Sequence, residues 1–339
     1  MQTEQYNIIK RPHTQELFLY GTRLLLSFLL LYAFGAHVFA QASDEAEVIR
    51  VNTDLVNLNV GVFKRERAGQ IGELQSKDFT VMENGVAQEI AFFASASTPF
   101  DLVLLLDLSG STADKLNLVR RSAARFVEAA RSTDRIGIVT FAATTQLVSP
   151  LTSDRAALLA SIKRIERPAG GTKFWDALRY LLEKPDGRAR NSSRRSAIVA
   201  MTDGVDNAIA GVLGDGSETD FGKLLEIVRR SDFIVLPIYL DTEKEMVKQH
   251  RVPASAYFYA RQQLQLLAEE SGSPVYTARK LEDLQNVYTQ VIHDLSTIYS
   301  IGYRPTNKRR DGTYRAINVR LVNHSDLIAR TRRGYYAGQ

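Results

Sequence analysis

The segment that most constrains the fold is an apolar run at residues 102–106, which is followed at once by Asp107, Ser109 and Ser111. A continuous apolar run of this length is typical of a strand that is buried on both faces of a parallel sheet. Such a strand delivers a carboxylate and two hydroxyls, at alternate positions, onto the loop that follows it. The pattern therefore predicts an α/β fold with oxygen ligands for a hard cation at one edge of its sheet.

Two later segments supply further oxygen ligands. Gly170-Gly171-Thr172 precedes a helical pattern, and a second apolar strand at residues 197–201 ends in Thr202-Asp203-Gly204. Oxygen donors of this kind suit magnesium, manganese or calcium far better than zinc or copper. The chain has no Cys and its five His are scattered, which also argues against a zinc site.

This set of residues resembles the metal-ion-dependent adhesion site of the von Willebrand factor A family. That motif is D-x-S-x-S, then a distant Thr, then a distant Asp at a strand end. The matching residues here are Asp107, Ser109, Ser111, Thr172 and Asp203. The resemblance implies a doubly wound, mostly parallel sheet with helices on both faces and the site at its switch crevice. It also implies a non-enzymatic adhesion module that binds a Glu or Asp of a partner protein through Mg²⁺, or through Mn²⁺ or Ca²⁺.

Alternating strand and helix patterns over residues 99–297 independently predict the same α/β class. Besides the first strand, we expect strands at 135–143, 146–149, 197–201 and 233–240. Helical spacing of apolar residues predicts helices at 116–130, 154–165, 174–183, 221–229, 257–270 and 281–295.

The regions on either side, 43–98 and 298–339, have β patterns. Asn84-Gly85 predicts a hairpin between 79–82 and 87–93, and further strands are expected at 299–303, 314–322 and 328–336. The first region has five basic and nine acidic residues, whereas the second has nine basic and two acidic. Neither region has enough strands for a stable core, and their charges are opposite, so we expect them to dock into one small β domain.

These flanks also resemble those of secreted bacterial proteins described as von Willebrand factor A related. The resemblance is carried by Lys77-Asp78-Phe79 with Glu83-Asn84-Gly85, by Gly302-Tyr303-Arg304-Pro305 and by Arg333-Gly334-Tyr335-Tyr336. It covers the flanks more loosely than the central region, and it implies no particular biochemical activity.

Residues 1–42 are expected to direct export. Lys10, Arg11 and Arg23 precede an apolar stretch at 24–36, and small residues follow at Ala40 and Ala42. We predict a cleaved signal peptide, with an uncleaved signal anchor as the alternative. The protein would then be periplasmic, extracellular or anchored in a membrane.

Loops that follow the strands share an edge with the metal site, so 204–220 and 241–256 are candidates for partner contacts. The candidate residues are Asp206, Glu243, Lys244, Lys248 and Arg251. A solvated loop without a binding role is an equal alternative for the second segment, and helix capping or a turn is the favoured alternative for Asp206.

Three other functions remain open at this stage. The basic region 298–339 favours an alternative function, binding to the cell envelope or another anionic surface. Nucleic acid is a less favoured ligand, because the protein is expected to be exported. The metal can be purely structural. A magnesium-dependent hydrolase is a weaker alternative, because no phosphate-binding loop, nucleophile motif or general base accompanies the site.

Overall fold

A computed structural model describes residues 55–65, 71–110, 116–166, 170–183, 194–249 and 251–338. The chain divides into two compact units, Met1–Thr53 and Asp54–Gln339, and every described residue belongs to the second. The predicted export segment at 1–42 and the candidate ligand Ser111 lie outside the described residues. No helix in the described ranges has the length and apolar character needed to cross a bilayer.

The described strands, in chain order, are β1 (Val56–Lys64), β2 (Phe79–Glu83), β3 (Val86–Gln88), β4 (Ile90–Ala94), β5 (Phe100–Asp107), β6 (Arg135–Phe141), β7 (Thr145–Thr152), β8 (Arg195–Thr202), β9 (Ile234–Leu240), β10 (Tyr276–Ala278), β11 (Ile298–Tyr303), β12 (Tyr314–Leu321), β13 (Leu327–Arg330) and β14 (Gly334–Tyr336). The described α-helices are α1 (Leu116–Ala129), α2 (Arg155–Lys163), α3 (Phe174–Glu183), α4 (Phe221–Arg230), α5 (Glu243–Lys248), α6 (Ala254–Ser271) and α7 (Leu284–Leu295). Short 3₁₀ turns cover Ser76–Asp78 and Leu281–Asp283.

The central sheet has six strands in the order β10-β9-β8-β5-β6-β7. All neighbouring pairs are parallel except β6 and β7, which are antiparallel. The chain runs outward from β5 through β6 to β7, then crosses back to β8 on the other side of β5. The sheet order therefore reverses between β5 and β8, which is where open α/β sheets place their ligands.

Helices cover both faces of this sheet, as expected for the fold class. Alternate residues of β5 point to opposite faces. Leu102, Leu104 and Leu106 belong to the core under α1, α2 and α7, whereas Val103 and Leu105 belong to the core under α3, α4 and α6. Every residue of β5 is buried, which explains the continuous apolar run at 102–106 within it.

The predicted helices are all present, with modest changes of boundary. The helix expected at 257–270 begins earlier, at Ala254, and the one expected at 281–295 begins with a 3₁₀ turn. The edge strand expected at 146–149 extends over Thr145–Thr152. Sequence reasoning missed β10, because a three-residue strand is too short to show a periodic pattern.

The flanks form two antiparallel four-stranded sheets, in the orders β13-β1-β11-β4 and β14-β12-β2-β3. Strand β1 comes from the first flank and lies between two strands of the second. The two sheets share one hydrophobic core, to which β1, β2, β11 and β12 all contribute. The strands of each flank therefore complete the sheets of the other. The limits of the four regions, 1–42, 43–98, 99–297 and 298–339, remain a prediction.

The hairpin at Asn84-Gly85 is confirmed, since β2 and β3 pair across it and both turn residues have positive φ, 48° and 82°. The prediction of one strand over 87–93 is wrong, because β3 pairs with β2 whereas β4 pairs with β11 in the other sheet. The strand expected at 328–336 divides in the same way into β13 and β14. When a segment passes from one sheet to the other, its apolar pattern does not change. The periodicity of the sequence therefore cannot show where one strand ends and the next begins.

Among the described residues, a buried ion pair joins the acidic flank to the basic one. Arg315 of β12 donates to the Glu83 carboxylate of β2 at 3.3 Å, and both side chains are 3% exposed. The hydroxyls of Tyr303 and Tyr335 donate to the same carboxylate at 2.7 and 2.9 Å. Glu83 is therefore fully surrounded by donors, as a buried carboxylate requires.

Candidate metal centre

The site lies at the carboxyl ends of β5 and β8. Asp107 is the last residue of β5, and Asp203 follows the last residue of β8. Because the two strands are parallel neighbours, both carboxylates emerge at the same edge of the sheet. Both residues are buried, at 0% and 2% exposure. The predicted pair of acidic ligands is therefore brought together at the point where the sheet order reverses.

The Asp107 carboxylate is held from both sides. Its Oδ1 accepts the backbone N–H of Ser109 at 2.9 Å, and its Oδ2 accepts the hydroxyl of Thr202 at 2.6 Å. The Ser109 side chain also hydrogen bonds to it. Thr202 is the last residue of β8, and its oxygen in turn accepts the N–H of Gly204 at 2.9 Å. These contacts fix the orientation of the Asp107 carboxylate.

Asp203 has a similar arrangement. Its Oδ1 accepts the N–H of Val205 at 3.1 Å, and its Oδ2 accepts the Thr242 hydroxyl at 2.7 Å. The Thr242 and Tyr257 oxygens are 2.8 Å apart. Since the single hydroxyl proton of Thr242 is directed at Asp203, Tyr257 donates to Thr242. Burial, followed by the charge of Asp203, raises the pKa of Tyr257, so this hydroxyl keeps its proton.

Two acidic groups so close together repel each other. Burial, followed by the charge of Asp203, raises the pKa of Asp107 to about 7, despite hydrogen bonds from Ser109 and Thr202 that act in the opposite direction. A divalent cation between the two carboxylates would remove this repulsion. The side chains of the candidate ligands offer only oxygen atoms to a metal, so they fit a hard cation. In the described part of the chain, no group of three or more His, Cys, Asp or Glu side chains is arranged for a metal.

Thr172 is brought to the loop that follows Asp203. Its backbone N–H donates to the Asn207 side chain at 2.9 Å, and its carbonyl accepts the N–H of Asn207 at 3.0 Å. Gly171 makes this approach feasible, because a Cβ there would lie 2.7 Å from the Asn207 amide nitrogen and 2.8 Å from the carbonyl of Asp215. The Gly-Gly-Thr sequence therefore packs Thr172 tightly against the loop after β8. Ser111, the remaining predicted ligand, lies outside the described residues.

Asp206 has a role different from the predicted partner contact. It is fully buried, and its carboxylate accepts the N–H groups of Trp175, Ala208 and Ser217 at 2.9–3.0 Å and the Ser217 hydroxyl at 2.6 Å. Trp175 lies in the first turn of α3, so Asp206 joins the start of that helix to the 204–217 loop. A carboxylate that is enclosed in this way has no surface to offer a partner.

The other four candidates lie on or beside α5, in a segment that was expected to be a loop. Lys244, Lys248 and Arg251 are exposed. Glu243 is half-buried and forms an ion pair with Arg261 of α6. Three of the four candidates are therefore exposed cationic side chains at the edge of the site. The acidic candidate, Glu243, is paired within the protein.

Sequence reasoning did not assign roles to Thr202, Thr242 and Tyr257, which orient the two carboxylates. Thr242 follows β9 by two residues, so a search of every strand end at this edge would have found it. Thr202 ends β8 and was visible by the same rule. Tyr257 gave no such signal, because its role depends on how α6 packs against the loop after β9.

No curated protein matches the chain in sequence. The solved structures that it resembles include proximal thread matrix protein 1 from the mussel byssus with a zinc-occupied MIDAS motif, at 14% identity and a TM-score of 0.45, over 59% of this chain and 48% of that one. Two others are BatB from Bacteroides thetaiotaomicron, at 15% identity and a TM-score of 0.43 over 58% and 98% of the two chains, and the vWF domain of the type V pili tip protein Mfa5 from Porphyromonas gingivalis, at 14% and 0.40 over 58% and 94%.

The present chain spans about half the length of the mussel protein. The family model of the von Willebrand factor type A domain matches residues 102–206, a segment that begins in β5 and includes Asp107, Ser109, Thr172 and Asp203. Together with the doubly wound sheet, this match supports a von Willebrand factor type A domain within the chain.

Proposed function

We propose that Asp107, Ser109, Ser111, Thr172 and Asp203 bind a divalent cation and that this cation binds a Glu or Asp of a partner protein. One observation carries the proposal: Asp107 and Asp203 lie buried at the carboxyl ends of adjacent parallel strands, where hydroxyl and backbone N–H groups orient their carboxylates. The match of residues 102–206 to a family of metal-dependent adhesion modules supports it.

The charges and ligands favour Mg²⁺, with Mn²⁺ or Ca²⁺ as alternatives. Two carboxylates balance one divalent cation, and the Ser and Thr hydroxyls add neutral oxygens. Magnesium prefers about six oxygen ligands and keeps waters where the protein leaves gaps. An acidic residue of a partner can take the place of such a water. This chain's residues hold and orient the cation, whereas the partner supplies the last anionic ligand.

We infer a binding module and not an enzyme. The sequence around the five candidate ligands contains no phosphate-binding loop and no nucleophile motif of a hydrolase. Hydrolysis of a phosphoester or peptide substrate that was abolished by Asp107→Ala would contradict this inference.

A second function has an observation of its own in its favour. The turn between β11 and β12 exposes Arg304, Lys308, Arg309 and Arg310, so the β region presents a cationic loop. Such a loop suits an anionic cell-envelope polymer or lipid surface. Binding through it would fall steeply as salt is raised and would persist in EDTA, which distinguishes it from the metal-dependent function.

The proposed location is outside the cytoplasm, with residues 1–42 acting as a cleaved signal or as an anchor. The proposed organisation is a von Willebrand factor type A domain over 99–297 inserted between two β regions, 43–98 and 298–339, that complete one another. Limited proteolysis tests the organisation. Release of the last forty or so residues without unfolding of the rest would contradict it.

The function is tested by direct metal binding followed by partner capture. We expect wild type to bind Mn²⁺ with a one-to-one stoichiometry, and Asp107→Ala to lose that binding. Asp311→Ala is the matched control, because Asp311 is an exposed carboxylate in the loop before β12. Wild type and the control should then capture a protein partner in Mg²⁺ and release it in EDTA. Metal binding without any metal-dependent partner would leave the cation a structural role only.

A further inference from the structure

We propose that three exposed apolar side chains beside the metal centre, Leu213, Phe258 and Tyr259, bind an apolar residue that neighbours the acidic residue of the partner. We refer to these three as the apolar rim. The inference rests on the function proposed above and specifies its ligand: a short segment of another protein in which Glu or Asp is adjacent to an aliphatic or aromatic residue.

The apolar rim is unusually exposed for its chemistry. Leu213 is 83% exposed, and Phe258 and Tyr259 are 52% and 51% exposed. The two aromatic rings are in edge-to-face contact, with centroids 5.7 Å apart and an interplanar angle of 71°. Single exposed apolar residues are ordinary, but a group of large ones beside a candidate site is typical of a binding surface.

The aromatic pair is linked to the metal centre through its chain neighbour. Tyr257 hydrogen bonds to Thr242, which donates to Asp203. Phe258 and Tyr259 therefore follow immediately after a residue that is two hydrogen bonds from a candidate metal ligand. They lie in the first turns of α6. The start of this helix is at the edge of the sheet that holds Asp203, because Tyr257 contacts Thr242 there.

Leu213 is linked to the same centre from the other side. Its carbonyl accepts a hydrogen bond from the Asn207 amide nitrogen at 2.6 Å, and the amide oxygen of Asn207 accepts the N–H of Thr172. The loop also approaches the start of α6, since a Cβ at Gly211 would lie 3.5 Å from the ring of Pro253. The loop that carries Leu213 is therefore held in place between Thr172 and α6, and in this position the Leu213 side chain is exposed.

The exposed charges around the apolar rim nearly cancel. Lys244 and Lys248 are exposed on α5, and Arg251 is exposed just beyond that helix. The same surroundings expose three carboxylates, those of Asp241, Glu245 and Asp215. This balance disfavours a broadly acidic or broadly basic partner surface. A short segment with one acidic residue for the cation and an apolar neighbour for the rim fits it better.

The test uses the full chain and an array of synthetic nine-residue peptides. Each peptide has one central Glu, and the residues beside it are Leu, Phe, Ser or Gly at constant net charge. Binding is measured in Mg²⁺ and in EDTA. We expect metal-dependent binding that is about tenfold tighter for peptides with Leu or Phe next to Glu.

Leu213→Ser and the double variant Phe258→Ser, Tyr259→Ser are expected to abolish this preference while they retain Mn²⁺ affinity. Phe92→Ser is the matched control, because Phe92 is 46% exposed on β4 in the β region. Leu213→Ser is informative even if the double variant folds poorly, since its side chain makes little internal contact.

Each outcome distinguishes the two proposals. Metal-dependent binding without a preference for apolar neighbours, or a preference that survives both variants, overturns the apolar rim and leaves the proposed function intact. Mn²⁺ binding with no metal-dependent peptide binding at all overturns both. Apolar peptides that bind equally well in EDTA contradict the claim that the rim and the cation act on one ligand.

Discussion

Thr242 donates a hydrogen bond of 2.7 Å to the carboxylate of Asp203, although the two residues follow different strands and are 39 positions apart. This contact orients one candidate metal ligand through a side chain that has no place in the D-x-S-x-S motif. Residues that orient a ligand in this way commonly change metal affinity by about ten- to a hundredfold when they are removed.

Thr242→Val should therefore weaken Mn²⁺ binding by about tenfold, with little change in the far-UV circular dichroism spectrum. The substitution preserves shape and removes the hydroxyl that Asp203 and Tyr257 both contact. Thr289→Val is the control, because that exposed hydroxyl donates only to a carbonyl within its own helix, α7. Equal Mn²⁺ affinity in the two variants would show that the hydrogen bond does not support the site.

The stability of the metal-free protein should depend on the protonation of Asp107. Its pKa is raised to about 7 in the folded state, by burial first and by Asp203 second, whereas the ordinary value is 3.8. A raised carboxyl pKa means that the folded state holds the proton more tightly than the unfolded state. The contribution is full below about pH 4 and is lost as pH rises through 7. Denaturant unfolding in EDTA between pH 5.5 and 8.5 should show this decline, and Mg²⁺ should reverse it at the alkaline end.

Asp107→Asn should separate this effect from those of other groups. Without metal at pH 8, the variant should be more stable than wild type by about 1–2 kcal/mol, because a buried negative charge beside Asp203 has been removed. It should also lose the rise in midpoint temperature that Mg²⁺ produces. Differential scanning calorimetry in EDTA and in Mg²⁺ measures both. A variant that Mg²⁺ still stabilises as much as it does wild type would place the cation elsewhere.

Arg315→Met should destabilise the β region by about 3 kcal/mol, because it leaves the buried carboxylate of Glu83 without its cationic partner. Tyr303 and Tyr335 continue to donate to that carboxylate, which limits the loss. Arg320→Met on the same strand is exposed and should change the free energy of unfolding by no more than about 0.5 kcal/mol. Similar urea midpoints for the two variants would mean that the buried ion pair contributes little.

Much of the fold could be predicted from local patterns. The buried run at 102–106, the helical spacing at 174–183 and the Asn84-Gly85 turn each depend on residues that are close in sequence, and all three appear as expected. The order of strands and helices then limits the topology, since parallel strands need crossovers and their carboxyl ends meet at one edge. For the same reason, the sequence predicts that Asp107 and Asp203 lie at the same edge of the sheet.

The tertiary structure decided which polar groups are buried, and with what partners. Asp206 is enclosed by the start of α3 and the Ser217 loop, and Arg315 points inward on a strand whose neighbouring inward residues, Ile317 and Val319, are apolar. The partner of Arg315, Glu83, is 232 residues away. A buried polar side chain is stable only where donors and acceptors converge on it, and residues distant in sequence supply them. The sequence alone therefore determined the fold class and the candidate ligands, whereas only the folded chain determined what orients those ligands and which side chains remain on the surface around them.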